Sequence, residues 1–426
     1  MRAPAAHGTV TAGSRVTDRP ALIYDDEHLQ VLHLEGASDY TVVSFNEMGT
    51  RAGAARFWGD RLFAKNRIRA YGFVTTRPNW FPLRSATAAV DAVLAHDSER
   101  RPRVLYGHSM GGFAALKLSR ALDATAALAF CPQVTIAPSE MPFPDTRYRE
   151  HYRPKLHDGM RVGREDLAGA IAVIYDPNYQ LDLLHAQLFA ESAEGAVGAW
   201  RAIRMPYTGH EAVRLLASST AATDAFEAAS RGDLVTVREV LAKRRKTSSV
   251  YLRNLALAAF RSKRYSTAQR LAERAIEATP DDPRSFHLLS RCHEVQGDLD
   301  VAVRVARHGL ELSNGKANMA EHLARLLCDR ARGDLDEAAS LLPRTLDAGL
   351  PKGRPQRIFS EVQLRRGQLS HALELAQAAH RESPEHAGHR RWLESTRALI
   401  IGRELDVESA GERRSSVREW IKRRMG

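Results

Sequence analysis

The densest chemical signal in the chain is the run Val104-Leu105-Tyr106-Gly107-His108-Ser109-Met110-Gly111-Gly112. It sets a serine between two glycines, each two residues away, after an apolar β-like run and before a helical one. That spacing suits a sharp strand-to-helix turn. The serine backbone is strained at such a turn, and side chains two positions before and after it would collide, so Gly107 and Gly111 fit there. Gly112 lets the helix pack close to a sheet. The helix N-terminus then faces any negative charge that develops beside Ser109. A serine presented this way is a nucleophile once a base lies within reach.

Seventeen histidines compete for the role of base. His210 stands in Pro206-Tyr207-Thr208-Gly209-His210-Glu211, a loop that follows the last β-like run of the first half. A Gly-His pair there is the expected place in a Ser, acid, His chain order. His108 neighbours the serine but points away along the turn and reads as a packing residue. The acid should follow the preceding strand. Asp176 comes directly after Tyr175, and Asp182 lies six residues on, where a helix N-cap is its other reading. Asp176 is the expected acid and Asp182 the alternative. The oxyanion donors are expected to be the amides of Met110 and Glu47, the latter in Phe45-Asn46-Glu47-Met48-Gly49. The Glu47 side chain must point away to be compatible with an anion.

The elements that would position these residues are legible in the pattern. Strands are expected at Ala21–Tyr24, Leu29–His33, Tyr40–Phe45, Ala70–Thr75, Arg103–Tyr106, Ala126–Phe130, Ala170–Tyr175 and Ala202–Met205. The first two are a hairpin's distance apart. From Tyr40 on, strands alternate with helical stretches such as Ala86–Ala95 and Gly111–Leu122, the βαβ pattern of a mainly parallel sheet covered on both faces. The fold class is therefore α/β, with an all-α second part.

Gly107-His108-Ser109-Met110-Gly111-Gly112 resembles the elbow of the α/β-hydrolase superfamily, in its esterase, thioesterase and acyl-hydrolase members. The resemblance covers residues 20–217 and implies an eight-stranded sheet with Ser109, Asp176 and His210 as triad. The chain departs from that family in carrying Phe45-Asn46 where a His-Gly pair follows the third strand. A second resemblance, on Asn79-Trp80-Phe81, the elbow and Cys131-Pro132-Gln133, is to bacterial hydrolases that accompany surface-glycan assembly.

The second half reads as helices alone, and it repeats. Gly297-Asp298-Leu299, Gly333-Asp334-Leu335 and Gly367-Gln368-Leu369 recur at spacings of 36 and 34, and Lys263-Arg264-Tyr265 fills the same slot 34 residues before Gly297. Three residues past each Leu or Tyr stands an alanine: Ala268, Ala302, Ala338 and Ala372. Pro280 and Pro384 end the first and last units, and Pro343 falls inside a helix of the third. This 34-residue helix–turn–helix period resembles the tetratricopeptide repeat, which implies a scaffold for a protein partner. The expected layout is a flexible N-terminus (1–19), the hydrolase-like domain (20–217), the repeats (221–400) and a basic tail (401–426). A half-unit at Phe226–Leu234 caps the array.

The 426 residues carry a net charge of +11. Residues 1–215 hold 25 Lys/Arg against 23 Asp/Glu, and the remainder holds 37 against 28, so the excess belongs to the second half. A basic surface attracts acidic partners, nucleic acid or anionic lipid. No nucleic-acid motif, P-loop or metal-protease motif is present. No apolar run reaches the roughly 18 residues of a bilayer span, and the first residues lack the apolar core of a secretory signal. Three scattered cysteines exclude a disulfide framework and a cysteine-based zinc site and fit a reducing cytosol. The expectation is a cytoplasmic serine hydrolase acting on an ester or thioester, small-molecule or glycan-borne, with no metal or organic cofactor. Acyl transfer to a glycan hydroxyl and an inactive interaction scaffold are the alternatives. The stretch Pro132–Leu167, with Arg147, Tyr148, Arg149, His151, Tyr152, Arg153 and Lys155, is placed to form a lid.

Overall fold

The computed structural model describes residues 19–195, 199–330, 334–346, 348 and 350–401. The expected basic tail beyond 401, all but the last residue of the N-terminal segment 1–19, and Gly333 of the repeat pattern lie outside the described residues. The chain forms two compact units, 1–254 and 255–426.

The first unit is built on eight strands: β1 (Ala21–Asp25), β2 (Leu29–Leu34), β3 (Thr41–Phe45), β4 (Arg69–Thr75), β5 (Arg103–His108), β6 (Ala126–Phe130), β7 (Ala170–Tyr175) and β8 (Trp200–Arg204). They join in one sheet in the order β1-β2-β4-β3-β5-β6-β7-β8. The sheet is mixed, which corrects the mainly parallel one expected. β2 runs antiparallel to both its neighbours, β1 and β4, while the pairings from β4–β3 to β7–β8 are parallel. The short β1–β2 link permits only an antiparallel hairpin.

Strands β3, β4, β6 and β7 are buried at every residue. Helices cover both faces, so the strands are continuous apolar runs instead of alternating ones. Their side chains divide by parity between two cores. Val43, Phe45, Leu105, Ala127 and Val173 face one, with α2 (Leu83–His96), α3 (Met110–Lys117) and α4 (Gln180–Ser192). Val42, Val104, Leu128, Ala172 and Ile174 face the other. That second face is closed by Phe63 of α1 (Asp60–Lys65) and by α5 (Ser219–Ser230) and α6 (Leu234–Arg245).

The position of α5 and α6 moves the domain boundary. The expected division at 217/221 would strip them from the sheet. In the structure, Ala222, Ala225, Phe226 and Ala229 of α5, with Val237 and Leu241 of α6, belong to the core under β5–β7. The Phe226–Leu234 segment is thus part of the first unit and not a cap on the repeats. The Phe226 ring lies 5.9 Å from Phe63 and 5.3 Å from Tyr106.

The second unit is a series of paired helices: α7 (Ser249–Arg261, which straddles the division) with α8 (Tyr265–Ala278), α9 (Pro283–Gln296) with α10 (Leu299–Leu312), α11 (Ala317–Arg330) with α12 (Leu335–Leu341), and α13 (Arg354–Arg365) with α14 (Leu369–Glu382). A further helix follows over 387–401. Ala268, Ala302, Ala338 and Ala372 are all fully buried. Ser290 and Ser360, each twelve residues before one of these alanines, donate to the Ala302 and Ala372 carbonyls at 2.8 and 2.6 Å. The turn slot demands left-handed backbone: Gly297 and Gly367 stand at φ 88° and 80°, and Lys263 bears the same conformation at φ 59° with a side chain. Pro343 cuts α12 to seven residues, and a 3₁₀ turn, Leu342–Thr345, follows.

Phe226→Ala should destabilise the first unit by about 3–5 kcal/mol, the usual cost of emptying a buried aromatic site. Denaturant unfolding followed by tryptophan fluorescence measures this. A change under about 1 kcal/mol would mean that α5 is peripheral to the sheet.

Candidate functional site

The site forms at the C-terminal ends of β5, β7 and β8, where loops leave a sheet of this kind and ligands gather. Ser109 follows β5 directly and sits at φ 55°, ψ −114°. This is a costly conformation for a residue with a Cβ. The glycines make it possible. A Cβ at Gly107 would lie 2.2 Å from the Gly111 carbonyl oxygen, and one at Gly111 would lie 2.3 Å from that of Phe45. The same contact brings the loop after β3 against the start of α3.

The Ser109 Oγ lies 3.1 Å from His210 Nε2. The imidazole's Nδ1 lies 2.8 and 2.9 Å from the two carboxylate oxygens of Asp182. A carboxylate only accepts, so Nδ1 carries the proton and Nε2 is left to accept from the serine hydroxyl. Asp182 is the third residue of α4 and is 2% exposed. Burial alone would raise its pKa. The hydrogen bond from His210, that ring's charge and the Arg147 guanidinium outweigh burial and hold it below the usual carboxylate range.

Asp176, the expected acid, does not touch the imidazole. Its Oδ2 accepts from the Gly209 amide at 2.7 Å and its Oδ1 from the Asn178 amide at 2.8 Å. It holds the loop that carries His210. Asp176 directly follows β7, whereas Asp182 stands in the first turn of α4, and that placement brings its carboxylate to the ring. His108 donates Nε2–H to the His210 carbonyl at 2.7 Å. Burial, chiefly, pushes its pKa down to about 4, with the neighbouring His210 adding to the effect.

Three residues join the site that were not assigned a role in it. The Tyr148 hydroxyl lies 3.3 Å from Ser109 Oγ and 3.4 Å from His210 Nε2. Gln133 Nε2 reaches Oγ at 3.2 Å. Arg147 donates to Asp182 at 3.2 Å and clasps Asp145, which also accepts from His185 at 3.1 Å. These come from the expected lid. The aromatic and basic composition of that stretch signalled Arg147 and Tyr148, and Gln133 stood only in the Cys131-Pro132-Gln133 motif. Ser109 is left 5% exposed.

Glu47 turns its carboxylate back on its own loop, onto the Thr50 and Gly49 amides, at 2.9 Å for the first. Asn46 is fully buried and pins that loop through Thr75. The amide of Met110 opens α3. Among the described residues, the ligand atoms of His108, Cys131 and His210 lie within 4.8 Å of one another. Both His210 nitrogens are taken by Ser109 and Asp182, and burial pushes the Cys131 thiol well above its ordinary pKa. The arrangement suits proton transfer: a hydroxyl, an imidazole and a carboxylate in line let the hydroxyl lose its proton as it attacks an electrophile.

No protein-family model matches the chain, and comparison with curated proteins finds no match. Among solved structures, the chain is similar to MamA (residues 41 to the end) from Desulfovibrio magneticus RS-1, at 18% identity and a TM-score of 0.33, over 42% of this chain and 97% of that one. It is similar to TTC0263, a thermophilic TPR protein in Thermus thermophilus, at 17% identity and a TM-score of 0.32, over 43% and 98%. YrrB, described as a TPR protein with an unusual peptide-binding site, is similar at 16% identity and a TM-score of 0.32, over 48% and 95%.

The His210–Asp182 bond should give a low-field Nδ1–H proton resonance, because the proton is shared with a buried carboxylate. Asp182→Asn should abolish that resonance, and Asp176→Asn should leave it in place. The opposite pattern would return the role to Asp176.

Proposed function

We propose that the first unit is a serine hydrolase of the α/β-hydrolase type that cleaves an ester or thioester. The single observation that carries this reading is the line from Ser109 through His210 to Asp182, at 3.1 and 2.8 Å, on a strained turn between β5 and α3. The strand order β1-β2-β4-β3-β5-β6-β7-β8 supports it, because it puts serine, acid and histidine at one edge in that chain order.

The proposed reaction makes use of this geometry. Ser109 Oγ attacks the carbonyl carbon while its proton passes to His210 Nε2. The carbonyl oxygen becomes an oxyanion, and the amides of Met110 and Glu47 are the donors proposed to hold it. The C–O or C–S bond then breaks, and the leaving alcohol or thiol takes the proton from His210. Water repeats the sequence on the acyl-enzyme and frees the acid. Asp182 keeps the ring in the right tautomer and stabilises it while charged. Asp176 and His108 are positioning residues that act on the His210 loop.

Acyl transfer to a sugar hydroxyl is a second reading, favoured by the 5% exposure of Ser109 beneath Tyr148. A chromogenic ester assayed with and without a glycan acceptor separates the two by whether free acid or acylated glycan accumulates.

A fluorophosphonate should label the intact protein at Ser109 alone. Ser109→Ala should abolish labelling and lower ester turnover by several orders of magnitude. Asp182→Asn should lower turnover by roughly 10⁴. Labelling that persists in Ser109→Ala would overturn the reading.

The second unit is proposed as a tetratricopeptide-like scaffold for an acidic protein segment. Its paired helices and 34-residue spacing support the scaffold, and the basic excess of the second half supports the acidic partner. An acidic peptide bound to the full chain should dissociate as salt rises toward and past physiological strength, where the screening length is about 8 Å. Salt-independent binding would point to an apolar groove.

A further inference from the structure

A cavity of about 530 Å³ opens beside the lid, lined by Arg77, Asn79, His151, Arg153 and Lys155 among its residues. Four of these are basic and no carboxylate lines it. Among the described residues, Arg77, Arg153 and Lys155 make no ion pair, and Arg153 spends its guanidinium on the Glu150 and Tyr152 carbonyls. Only His151 meets an acid, Glu150 at 3.5 Å, which is itself 81% exposed. The adjoining cleft shares Lys155 but adds Asp26, Glu27 and Asp158, so the uncompensated positive charge is confined to the first cavity.

Two packed rings lie between the cavity and Ser109. His151 lies 5.6 Å from Trp80, and Trp80 lies 4.9 Å from Tyr148, whose hydroxyl is 3.3 Å from Ser109 Oγ. Its inner wall is fixed in advance. Asn79 is 1% exposed, donates to the His28 carbonyl at 2.9 Å and receives the His157 ring on its own carbonyl at 2.9 Å. Trp80 and Phe81 are held at φ 47° and 51°, two successive residues in a conformation that side chains disfavour. Three cations without ion-pair partners beside the fixed Asn79 wall suit an oxygen-rich anion.

We propose that this cavity is the leaving-group subsite of the hydrolase and that it receives a phosphate group on the alcohol or thiol of the substrate. The inference rests on the serine-hydrolase reading for its catalytic part. Two sources share this chemistry, a phosphorylated sugar and a phosphorylated thiol carrier.

The test uses the full chain and two matched pairs at low salt: O-acetylglucose 6-phosphate against O-acetylglucose, and acetyl coenzyme A against S-acetyl-N-acetylcysteamine. In at least one pair the phosphorylated member should have a kcat/KM at least 10-fold higher. The advantage should shrink with salt and disappear in the double variant Arg77→Ala/Lys155→Ala, with the neutral member changed less than 2-fold. The pair that responds identifies the source. Equal kcat/KM within both pairs, or an advantage that survives the double variant, overturns the proposal. Calorimetry of Ser109→Ala with inorganic pyrophosphate separates the two readings. Binding that the double variant abolishes supports the subsite even where no ester is turned over. Absence of pyrophosphate binding in a chain that still hydrolyses the neutral esters overturns the subsite and leaves the hydrolase standing.

Discussion

The His210 imidazole meets Ser109 because two buried carboxylates six residues apart grip the same loop at different points. Asp176 takes the Gly209 amide at 2.7 Å, and Asp182 takes the ring nitrogen at 2.8 Å. The first fixes the backbone and the second fixes the ring's orientation and tautomer. Neither could do both. A carboxylate at the strand end reaches the loop's amides, while one on the following helix approaches the ring from below. The His108 ring, neutral through burial, adds a third hold by donating to the His210 carbonyl. A loop after an edge strand is ordinarily mobile. Here three hydrogen bonds on two adjacent residues remove that freedom, and the serine geometry depends on them.

The other side of the site depends on the absence of side chains. Ser109 can stand at φ 55° only while Gly107 and Gly111 let β5, α3 and the loop after β3 close on one another. The Cβ clashes near 2.2 Å are with backbone oxygens, which cannot swing aside as a side chain could. Strain at Ser109 is thus carried by two buried cores rather than by local bonding. α5 belongs to that support, since Phe226 packs on Tyr106 of β5, three residues before the serine.

Much of this was legible in the residues, for identifiable reasons. Strand positions agreed to within about two residues because buried strands leave continuous β-branched and aromatic runs bounded by polar turns. The repeat spacing was visible because one turn conformation needs glycine and one helix crossing needs alanine, and each recurs. The choice between Asp176 and Asp182 was not legible. Both follow β7, and the deciding fact is that α4 starts at Gln180, which aims Asp182 and not Asp176 at the ring. Tyr148 and Gln133 were hidden for a similar reason: they reach Ser109 from an irregular segment with no period to read. The domain boundary was misplaced because an amphipathic helix that covers a sheet and one that starts a repeat array have the same pattern until their partner is known.

The lid segment also shapes the electrostatics behind the ring. Arg147 lies between Asp145 at 2.7 Å and Asp182 at 3.2 Å, and Tyr148, the next residue, faces Ser109. His185 accepts the Val134 amide on Nδ1 and faces Asp145 with Nε2, so its bonding matches the neutral ring. Two carboxylates, one guanidinium and two neutral imidazoles carry a net charge of −1. On the proposed reaction, the proton passes from Ser109 to His210 and the negative charge moves to the oxyanion, so the site's net charge is unchanged while the imidazolium faces Asp182. Low surrounding dielectric strengthens the attraction between that imidazolium and the Asp182 carboxylate. Arg147 therefore has two opposing effects: it steadies the acid, and it withdraws part of the charge that would stabilise the imidazolium. Asp145 offsets the second by taking most of the guanidinium's hydrogen bonds. The lid thus contributes a balanced ion pair beside Asp182 and leaves that carboxylate's charge available to the ring.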